Sequence, residues 1–251
     1  FNFYQAEFRS LDTDLNLFSL IDKEMIFVYN KCNIKLTSNF NDLLSEKDTS
    51  KIILTNDFFI EGSNSILNSK ITCIASSEKF KALAVGTENS KVIVYSLVSR
   101  EVTSIIDLKN KEAEKILITP QYGFIVIEAQ KTIYVYTING QKVGEKEINF
   151  DILEWHFSYP SVLSSFEFSL NETEDSDKKK ENLRNDYVVL MNSVNDIGVF
   201  EASHPEVIQF VSTSSGLIAA FDYLPFCNCV IIISINYGSI IGFYPVQDFN
   251  A

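Results

Sequence analysis

Short apolar runs separated by polar turns recur along the whole sequence. From Glu114 to Gln141 it reads EKILITPQYGFIVIEAQKTIYVYTINGQ, with three apolar runs, a Pro-x-x-Gly turn and an Asn-Gly pair. Runs rich in β-branched and aromatic residues, joined by turns that contain Gly, Asn or Asp, are typical of antiparallel hairpins. This stretch therefore predicts three short strands that fold back on one another.

The third apolar run of that stretch, IYVYTI at 133–138, has counterparts elsewhere. They are VIVYSL at 92–97, IGVFE at 197–201, IIGFY at 240–244 and MIFVY at 25–29. Each follows another apolar run across a short polar turn, and most have further runs before and after the pair. Four antiparallel strands about every 40 residues is the period of a propeller blade.

The repeat predicts an all-β fold, a WD-repeat-like β-propeller with five clear blades plus one degenerate blade, in a ring that these residues need not complete. Residues 1–251 would form a single propeller domain. Because the sequence begins at Phe1 rather than Met, we expect a segment of a longer chain. The degenerate blade falls in Thr37–Lys70, where Ile52–Leu54 and Phe58–Ile60 are the apolar runs.

A polar segment interrupts the repeat after Trp155. Residues 171–181 read NETEDSDKKKE and contain no apolar side chain. A segment of this composition cannot bury apolar surface, so it predicts a disordered loop of acidic and basic residues inserted in one blade. A docking or phosphorylation segment, through Thr173 or Ser176, is the alternative interpretation.

Composition narrows the choice of partners. Hydrophobic residues make up 46% of the chain, which is ample for a buried core, and the formal net charge is −12. An acidic surface repels phosphate groups, so we expect no nucleic acid partner and no direct binding to anionic lipid. The most apolar run, Cys229–Ile235, is far shorter than the roughly twenty residues of a membrane span, so we expect no transmembrane segment.

The sequence lacks the usual signatures of catalysis. It has no nucleophile elbow and no glycine-rich phosphate loop, and its glycines fit one turn per hairpin. The four cysteines form no Cys-x-x-Cys pair, and the only histidines are His156 and His204. We therefore expect reduced core cysteines, no metal, no cofactor, no catalytic residue and no enzyme. The cysteines are Cys32, Cys73, Cys227 and Cys229.

A few side chains leave alternatives open. Asp186, Asp196 and Asp222 lie near predicted strand ends, where acids usually serve turns and caps. Paired carboxylates at a propeller channel would instead indicate a hydrolase. For the single tryptophan, Trp155, we expect packing between blades rather than a role as a binding hot spot.

One blade carries a family resemblance. KILITPQYGFIVIEAQKTIYVYTINGQKV resembles a blade of the C-terminal WD-repeat propeller of BEACH-domain proteins, of the neurobeachin and lysosomal-trafficking-regulator type. The family pattern is an aliphatic residue, Ser/Thr-Pro, an aromatic-Gly-Phe strand, and a strand ending in Asn-Gly. The matching positions are Ile118, Thr119, Pro120, Tyr122, Gly123, Phe124, Ile138, Asn139 and Gly140.

The neighbouring blades are similar to the family as well. ITCIASSEKFKALAVGTENSKVIVYSL precedes, and Trp155 with DYVVL follows, so the resemblance is dense from about Ile71 to Glu201. The chain departs from ordinary WD repeats because the Trp-Asp ending and the Gly-His pair are absent. In ordinary WD repeats those residues build a hydrogen-bond network within each blade, so the resemblance implies that the blades of this chain, which lack them, are held mainly by packing.

The resemblance implies a non-enzymatic protein-interaction platform of a large BEACH-type scaffold in membrane trafficking, such as vesicle fusion or fission or lysosome- and vacuole-related organelles. Its partners would be other proteins and an upstream BEACH module of the same chain. The protein would be cytoplasmic and peripherally associated with endomembranes.

Turn positions predict where such a platform makes its contacts. The candidate interaction loops carry Asn89, Tyr122, Asn139, Asn195 and Tyr237. Exposed loops on a rigid scaffold are the usual place for recognition. The alternatives are a WD-repeat scaffold subunit of a complex unrelated to membrane traffic and, more remotely, a propeller hydrolase.

Overall fold

The structure, a computed structural model, describes part of the chain. The described residues are 17–21, 24–29, 33–37, 69, 71–99, 101–158, 185–212, 217–225, 227–235 and 239–246, with backbone only for 17–37 and 239–240. The predicted degenerate blade, apart from Thr37 and Ser69, and the predicted loop at 171–181 lie outside the described residues. Both therefore stay predictions, as does the single domain spanning 1–251.

The described residues form eighteen β-strands and no helix. The first sheet contains β1 (Leu17–Ile21), β2 (Glu24–Tyr29) and β3 (Asn33–Thr37). The second contains β4 (Ile71–Ser77), β5 (Ala82–Thr87), β6 (Lys91–Ser96) and β7 (Val102–Asp107). The third contains β8 (Lys115–Ile118), β9 (Ile125–Glu128), β10 (Thr132–Tyr136) and β11 (Lys142–Glu147).

Two more sheets follow in the C-terminal half. The fourth contains β12 (Ile152–Phe157), β13 (Tyr187–Asn192), β14 (Ile197–Glu201) and β15 (Gln209–Val211). The fifth contains β16 (Leu217–Leu224), β17 (Cys229–Ile235) and β18 (Ser239–Pro245). No helix in the described part of the chain is long and apolar enough to cross a membrane.

Every sheet is an antiparallel meander in chain order. Strand neighbours in space are neighbours in sequence, without a crossover. The second, third and fourth sheets have four strands, and the first and fifth have three described strands. These five sheets coincide with the five clear blades that the repeat predicts, so the all-β blade pattern is confirmed.

The second and third strands of the middle sheets are buried on both faces. All residues of β9 and β10 are buried, as are all six residues of β5. Alternate residues of a strand point to opposite faces, so continuous burial requires cover on both sides. This explains why these runs, ALAVGT, IVIE and TIYVY, are mostly apolar rather than an alternation of apolar and polar residues.

The chain divides into two compact units between Ile116 and Leu117. In the second unit, consecutive sheets stack face to face. One core cluster joins Val126, Ile133 and Val135 of the third sheet to Val188 and Leu190 of β13. Trp155 packs against this cluster, so its predicted role between blades is confirmed.

The opposite face of β13 forms a second cluster. Tyr187 and Val189 pack with Phe221, Val230 and Ile232 of the fifth sheet. Alternation along β13 thus supplies both interfaces from one short strand. The fourth sheet is the layer between the two clusters.

The prediction that glycines serve turns is wrong for four of them. Gly123 and Gly140 do lie in turns, with φ of 73° and 82°. However, four other glycines lie inside strands, where an added Cβ would come within 3 Å of a neighbouring side chain: Gly86, Gly144, Gly198 and Gly242. At these positions the absence of a side chain permits close packing, and no special backbone angle is needed.

Candidate interaction surface

The structure places four of the five predicted contact residues in connections between strands. Asn89 lies in the β5–β6 turn and Asn139 in the β10–β11 turn, both exposed. Asn195 lies in the β13–β14 turn, partly buried, with a left-handed φ of 66°. Tyr122 lies in the β8–β9 connection and is 54% exposed. Tyr237 lies outside the described residues.

These residues do not all share one end of the sheets. Successive connections of a meander leave opposite ends, so Tyr122 and Asn139 lie at the same end of the third sheet. Asp186, just before β13, contacts the β8–β9 connection, which aligns that end with the start of β13. Asn195 follows the other end of β13 and therefore lies on the opposite side. Asn89 belongs to the first compact unit.

The connection that carries Tyr122 is held by a buried carboxylate. Asp186 is 3% exposed and accepts hydrogen bonds from three donors of residues 119–122. The Thr119 hydroxyl donates to Oδ2 at 2.5 Å, the Gln121 N–H to Oδ1 at 2.9 Å and the Tyr122 N–H to Oδ2 at 2.8 Å. Because three donors of one short segment converge on a single buried side chain, this clasp fixes the connection.

The clasp continues inside the connection. The Thr119 hydroxyl also accepts from the Phe124 N–H at 2.9 Å, and the Thr119 N–H donates to the Phe124 carbonyl at 2.8 Å. Gly123 adopts a positive φ that a residue with a side chain rarely adopts. Thr119 and Gly123 of the TPQYG segment thus both contribute to a closed turn.

The result is an exposed aromatic ring on a rigid support. The Tyr122 ring lies 5.9 Å from the Phe124 ring, which packs against the core cluster. Tyrosine is enriched among the residues that dominate protein interfaces. A side chain whose backbone is already ordered loses less entropy on binding, so this geometry suits recognition of another protein.

From the sequence, a turn or cap role is expected for Asp186, with a paired-carboxylate site as the alternative. A lone acid before an apolar strand is common, and its partners lie more than sixty residues earlier in the chain. Its hydrogen bonds are indeed caps, but they join two sheets rather than closing a local turn. The signal that could have found it is the Thr-Pro-x-x-Gly segment, whose backbone donors need an acceptor when buried.

The other carboxylates near strand ends do not assemble a hydrolase site with it. The Asn192 side-chain oxygen caps the turn by accepting from the Asp196 N–H at 2.9 Å, and Asp196 Oδ2 accepts from the Asn192 side-chain amide at 3.5 Å. Asp222 accepts from the Tyr223 N–H at 2.7 Å and lies 3.4 Å from His156 Nε2. Each carboxylate thus has its own local partners.

A serine, a histidine and a glutamate do meet in the β14–β15 connection. Ser203 Oγ donates to Glu201 Oε1 and lies 3.0 Å from His204 Nδ1, and Glu201 Oε1 lies 3.7 Å from the same Nδ1. In a catalytic triad the serine and the acid bind opposite ring nitrogens. Here both face Nδ1, and the His204 side chain is 65% exposed, so this is a polar turn.

The cysteines differ from one another in burial. Cys73 is buried in the core as predicted, whereas Cys227 is exposed, so the core assignment is wrong for Cys227. Cys32 lies outside the described residues. Burial raises the pKa of Cys73 to about 12, and partial burial beside Cys229 raises the pKa of Cys227. Both stay protonated at neutral pH, whereas the thiolate is the nucleophile and metal ligand.

Metal-ligating side chains do not cluster in the described part of the chain. It contains no group of three or more His, Cys, Asp or Glu side chains that could hold a metal ion.

The sequence matches no protein-family model and no curated protein. Solved structures are similar to it. The β-propeller domain of Cps50 (Swd1) from Myceliophteria thermophila aligns with a TM-score of 0.53 and 10% identity, over 90% of this chain and 67% of that one. A chain of the mitotic checkpoint complex aligns with a TM-score of 0.54 and 10% identity, over 93% of this chain and 64% of that one.

A third similar structure is BBS1N in complex with ARL6DN, with a TM-score of 0.55 and 11% identity, over 92% of this chain and 66% of that one. The chain thus spans about two thirds of the length of these solved chains. At such low identity the likeness shows the fold alone. The fold is a WD-repeat-like β-propeller, as the repeat predicts.

Proposed function

We propose that this protein is a non-enzymatic platform that binds other proteins through connections at the ends of its sheets. The observation that carries the proposal is the clasp of Asp186, which orders the β8–β9 connection and leaves Tyr122 54% exposed. Propellers offer rigid strands with variable connections, an arrangement suited to recognition. The solved propellers of similar fold include chains of protein complexes, which supports the same role.

We further propose that the platform belongs to a BEACH-type scaffold in membrane trafficking. The support is the resemblance of the Ile118–Gly140 segment to the family's blade. The Thr-Pro and aromatic-Gly-Phe motifs of that segment lie in the connection that Asp186 holds. In this proposal the protein is cytoplasmic, peripherally associated with endomembranes, and works with a BEACH module upstream in the same chain.

The test compares two exposed side chains in the full-length protein. Tyr122→Ser removes the ring from the clasped connection, and Val98→Ser removes a 78% exposed side chain from the β6–β7 connection as a matched control. Native purification from cells, followed by quantitative mass spectrometry, measures the co-purifying proteins. We expect Tyr122→Ser to deplete specific partners about tenfold or more, because interface tyrosines commonly carry over 1.4 kcal/mol.

Identical partner sets for the wild type and both variants would overturn the interaction surface. The location of the partners then tests the finer proposal. Recovery of the protein and its Tyr122-dependent partners with endomembrane fractions supports the trafficking role. Recovery of both in soluble complexes favours a scaffold subunit unrelated to membrane traffic, a role that the similarity to a mitotic checkpoint chain makes a second candidate.

A further inference from the structure

We propose that a groove between the outer strands β11 and β15 binds an aromatic side chain of a partner protein segment that carries Lys or Arg beside it. The inference rests on the proposed role as an interaction platform and assigns it a second contact site, away from Tyr122. Both strands lie at the outer edge of their sheets, in the third and fourth sheets of the second compact unit.

The groove is a cavity of about 390 Å³ with a mixed lining, in which apolar side chains, among them Phe150 and Phe210, alternate with charged and polar ones. Phe150 and Phe210 meet edge to face, with ring centroids 5.2 Å apart and an interplanar angle of 85°. Ile148 is buried, and Phe150 and Ile208 pack against the core cluster beneath. Cavities of this volume accept small ligands or single large side chains, and offset aromatic walls favour a third ring.

Two glycines allow the walls to come together. A Cβ on Gly144 of β11 would lie 2.7 Å from Pro205 Cγ, so the absence of a side chain lets the two sheets meet at one end of the groove. A Cβ on Gly198 of β14 would lie 2.9 Å from the Phe210 ring and 3.2 Å from Ile208. The floor therefore depends on close packing inside the fold rather than on chance surface relief.

The two edge strands that border the groove are protected differently. β11 presents Lys142, Glu145 and Glu147 beside the 36% exposed Val143, and such charged side chains on an edge strand hinder pairing with other chains. β15 instead exposes 42% of Phe210, and Val207 just before it is 38% exposed. An unprotected aromatic residue on an edge strand is a liability unless a partner covers it.

Charge at the rim selects the partner. The charged residues that line the groove are Glu147 and Glu206, which are acidic, and Lys146, which is basic. The Glu206 carboxylate lies beside Gly144. The chain as a whole carries a formal charge of −12. Complementary potentials steer association, so a segment with an aromatic side chain between basic residues fits better than an acidic one.

The test uses synthetic peptides and the purified 251-residue chain. The probe is acetyl-KKFKK-amide, and the references are acetyl-KKSKK-amide and acetyl-EEFEE-amide. Methyl NMR signals of Ile148, Val207 and Ile208 report occupation of the groove. We expect the probe to shift these signals. Both references should bind with a Kd at least about tenfold higher, because losing the buried ring or reversing the charges should cost at least about 1.4 kcal/mol of binding free energy.

Matched variants locate the site. Phe210→Ser removes one wall of the groove. Phe243→Ser is the control, because it removes another exposed phenylalanine, from the last described strand of the fifth sheet. We expect about a tenfold rise in Kd for the first and no change for the second. Glu206→Lys keeps the walls intact, and we expect it to weaken the probe and strengthen acetyl-EEFEE-amide.

Several results would overturn the proposal. They are no groove shift with the probe, equal binding of the serine peptide, and equal effects of Phe210→Ser and Phe243→Ser. Self-association of the chain that Phe210→Ser abolishes would instead assign the groove to a second copy. Tyr122→Ser separates the two sites: it should leave peptide binding unchanged even where it depletes cellular partners.

Discussion

Strands β10 and β18 each follow two antiparallel strands in their sheets and carry similar apolar sequences, but they differ in burial. β10 reads TIYVY, and all five residues are buried. β18 reads SIIGFYP, and Ile241 and Phe243 are 59% and 64% exposed. The composition of a strand therefore does not decide how much of it is covered.

The difference follows from what lies on each face. Ile133 and Val135 of β10 enter the cluster shared with β13, and its remaining residues are buried on the other face. In the fifth sheet, Val230 and Ile232 pack against the fourth sheet. Ile241 and Phe243, two residues apart in β18, both lie on its exposed face. The same apolar pattern thus contributes core in one sheet and surface in another.

The largest expected effect comes from one matched isoleucine pair. Ile133→Ala empties a fully buried site in β10, which typically costs about 2–5 kcal/mol through lost burial and a cavity. Ile241→Ala trims a 59% exposed side chain in β18, and we expect about 0.5 kcal/mol or less. Urea unfolding measures both, and similar losses would contradict the contrast.

The next effect concerns the hydrogen bonds that join sheets. Asp186→Ala leaves three buried or partly buried donors without their acceptor, and we expect a loss of about 3 kcal/mol. Between the fourth and fifth sheets, Ser158 Oγ donates one bond to the Tyr223 carbonyl at 2.7 Å. Ser158→Ala should cost about 1 kcal/mol. Equal losses of stability in thermal unfolding would show that the three-bond clasp contributes no more than a single hydrogen bond between sheets.

A smaller effect appears at alkaline pH. Burial, aided by the nearby Glu201 carboxylate, raises the pKa of Tyr187 to about 12, against about 10 in an unfolded chain. Between these values the unfolded state binds fewer protons than the folded state, so stability falls as the pH rises. The stabilisation is complete below about pH 10, and up to about 2–3 kcal/mol is lost towards pH 12.

Tyr187→Phe isolates that contribution because it cannot ionise. Urea unfolding from about pH 9 to about pH 12 should show a shallower decline for the variant than for the wild type. Parallel declines would assign the alkaline loss to other groups.

The smallest effect separates two strand glycines. Gly198→Ala in β14 places a methyl group 2.9 Å from both Leu190 and Phe210, and we expect about 1–2 kcal/mol of destabilisation. Gly242→Ala in β18 meets the far end of a single side chain, the partly buried ring of Tyr244, so we expect a smaller loss of about 1 kcal/mol or less. A larger loss for Gly242→Ala, measured by thermal unfolding, would reverse the comparison.

The candidate surface was only partly accessible from sequence. Tyr122 could be proposed as a contact residue because Pro120 and Gly123 indicate a turn, and turns are usually exposed. Asp186 could not, because nothing near it in sequence shows that it reaches residues 119–122. The groove of Phe150 and Phe210 was also missed, since its two walls come from different sheets and each phenylalanine alone fits a core position.

The sequence by itself determined the strands, because short-range alternation, β-branched runs and turn residues act within a few positions of one another. It also determined most of the meander, since connections of a few residues favour neighbouring antiparallel pairing. The pairing of β12 with β13 is the exception, because residues 158–186 separate these two strands. Only the tertiary structure decided which apolar strands are covered, which acid holds the Tyr122 connection, and which glycines permit close packing. Those outcomes depend on contacts between sheets, and residues distant in the chain meet there by stacking rather than by any local pattern.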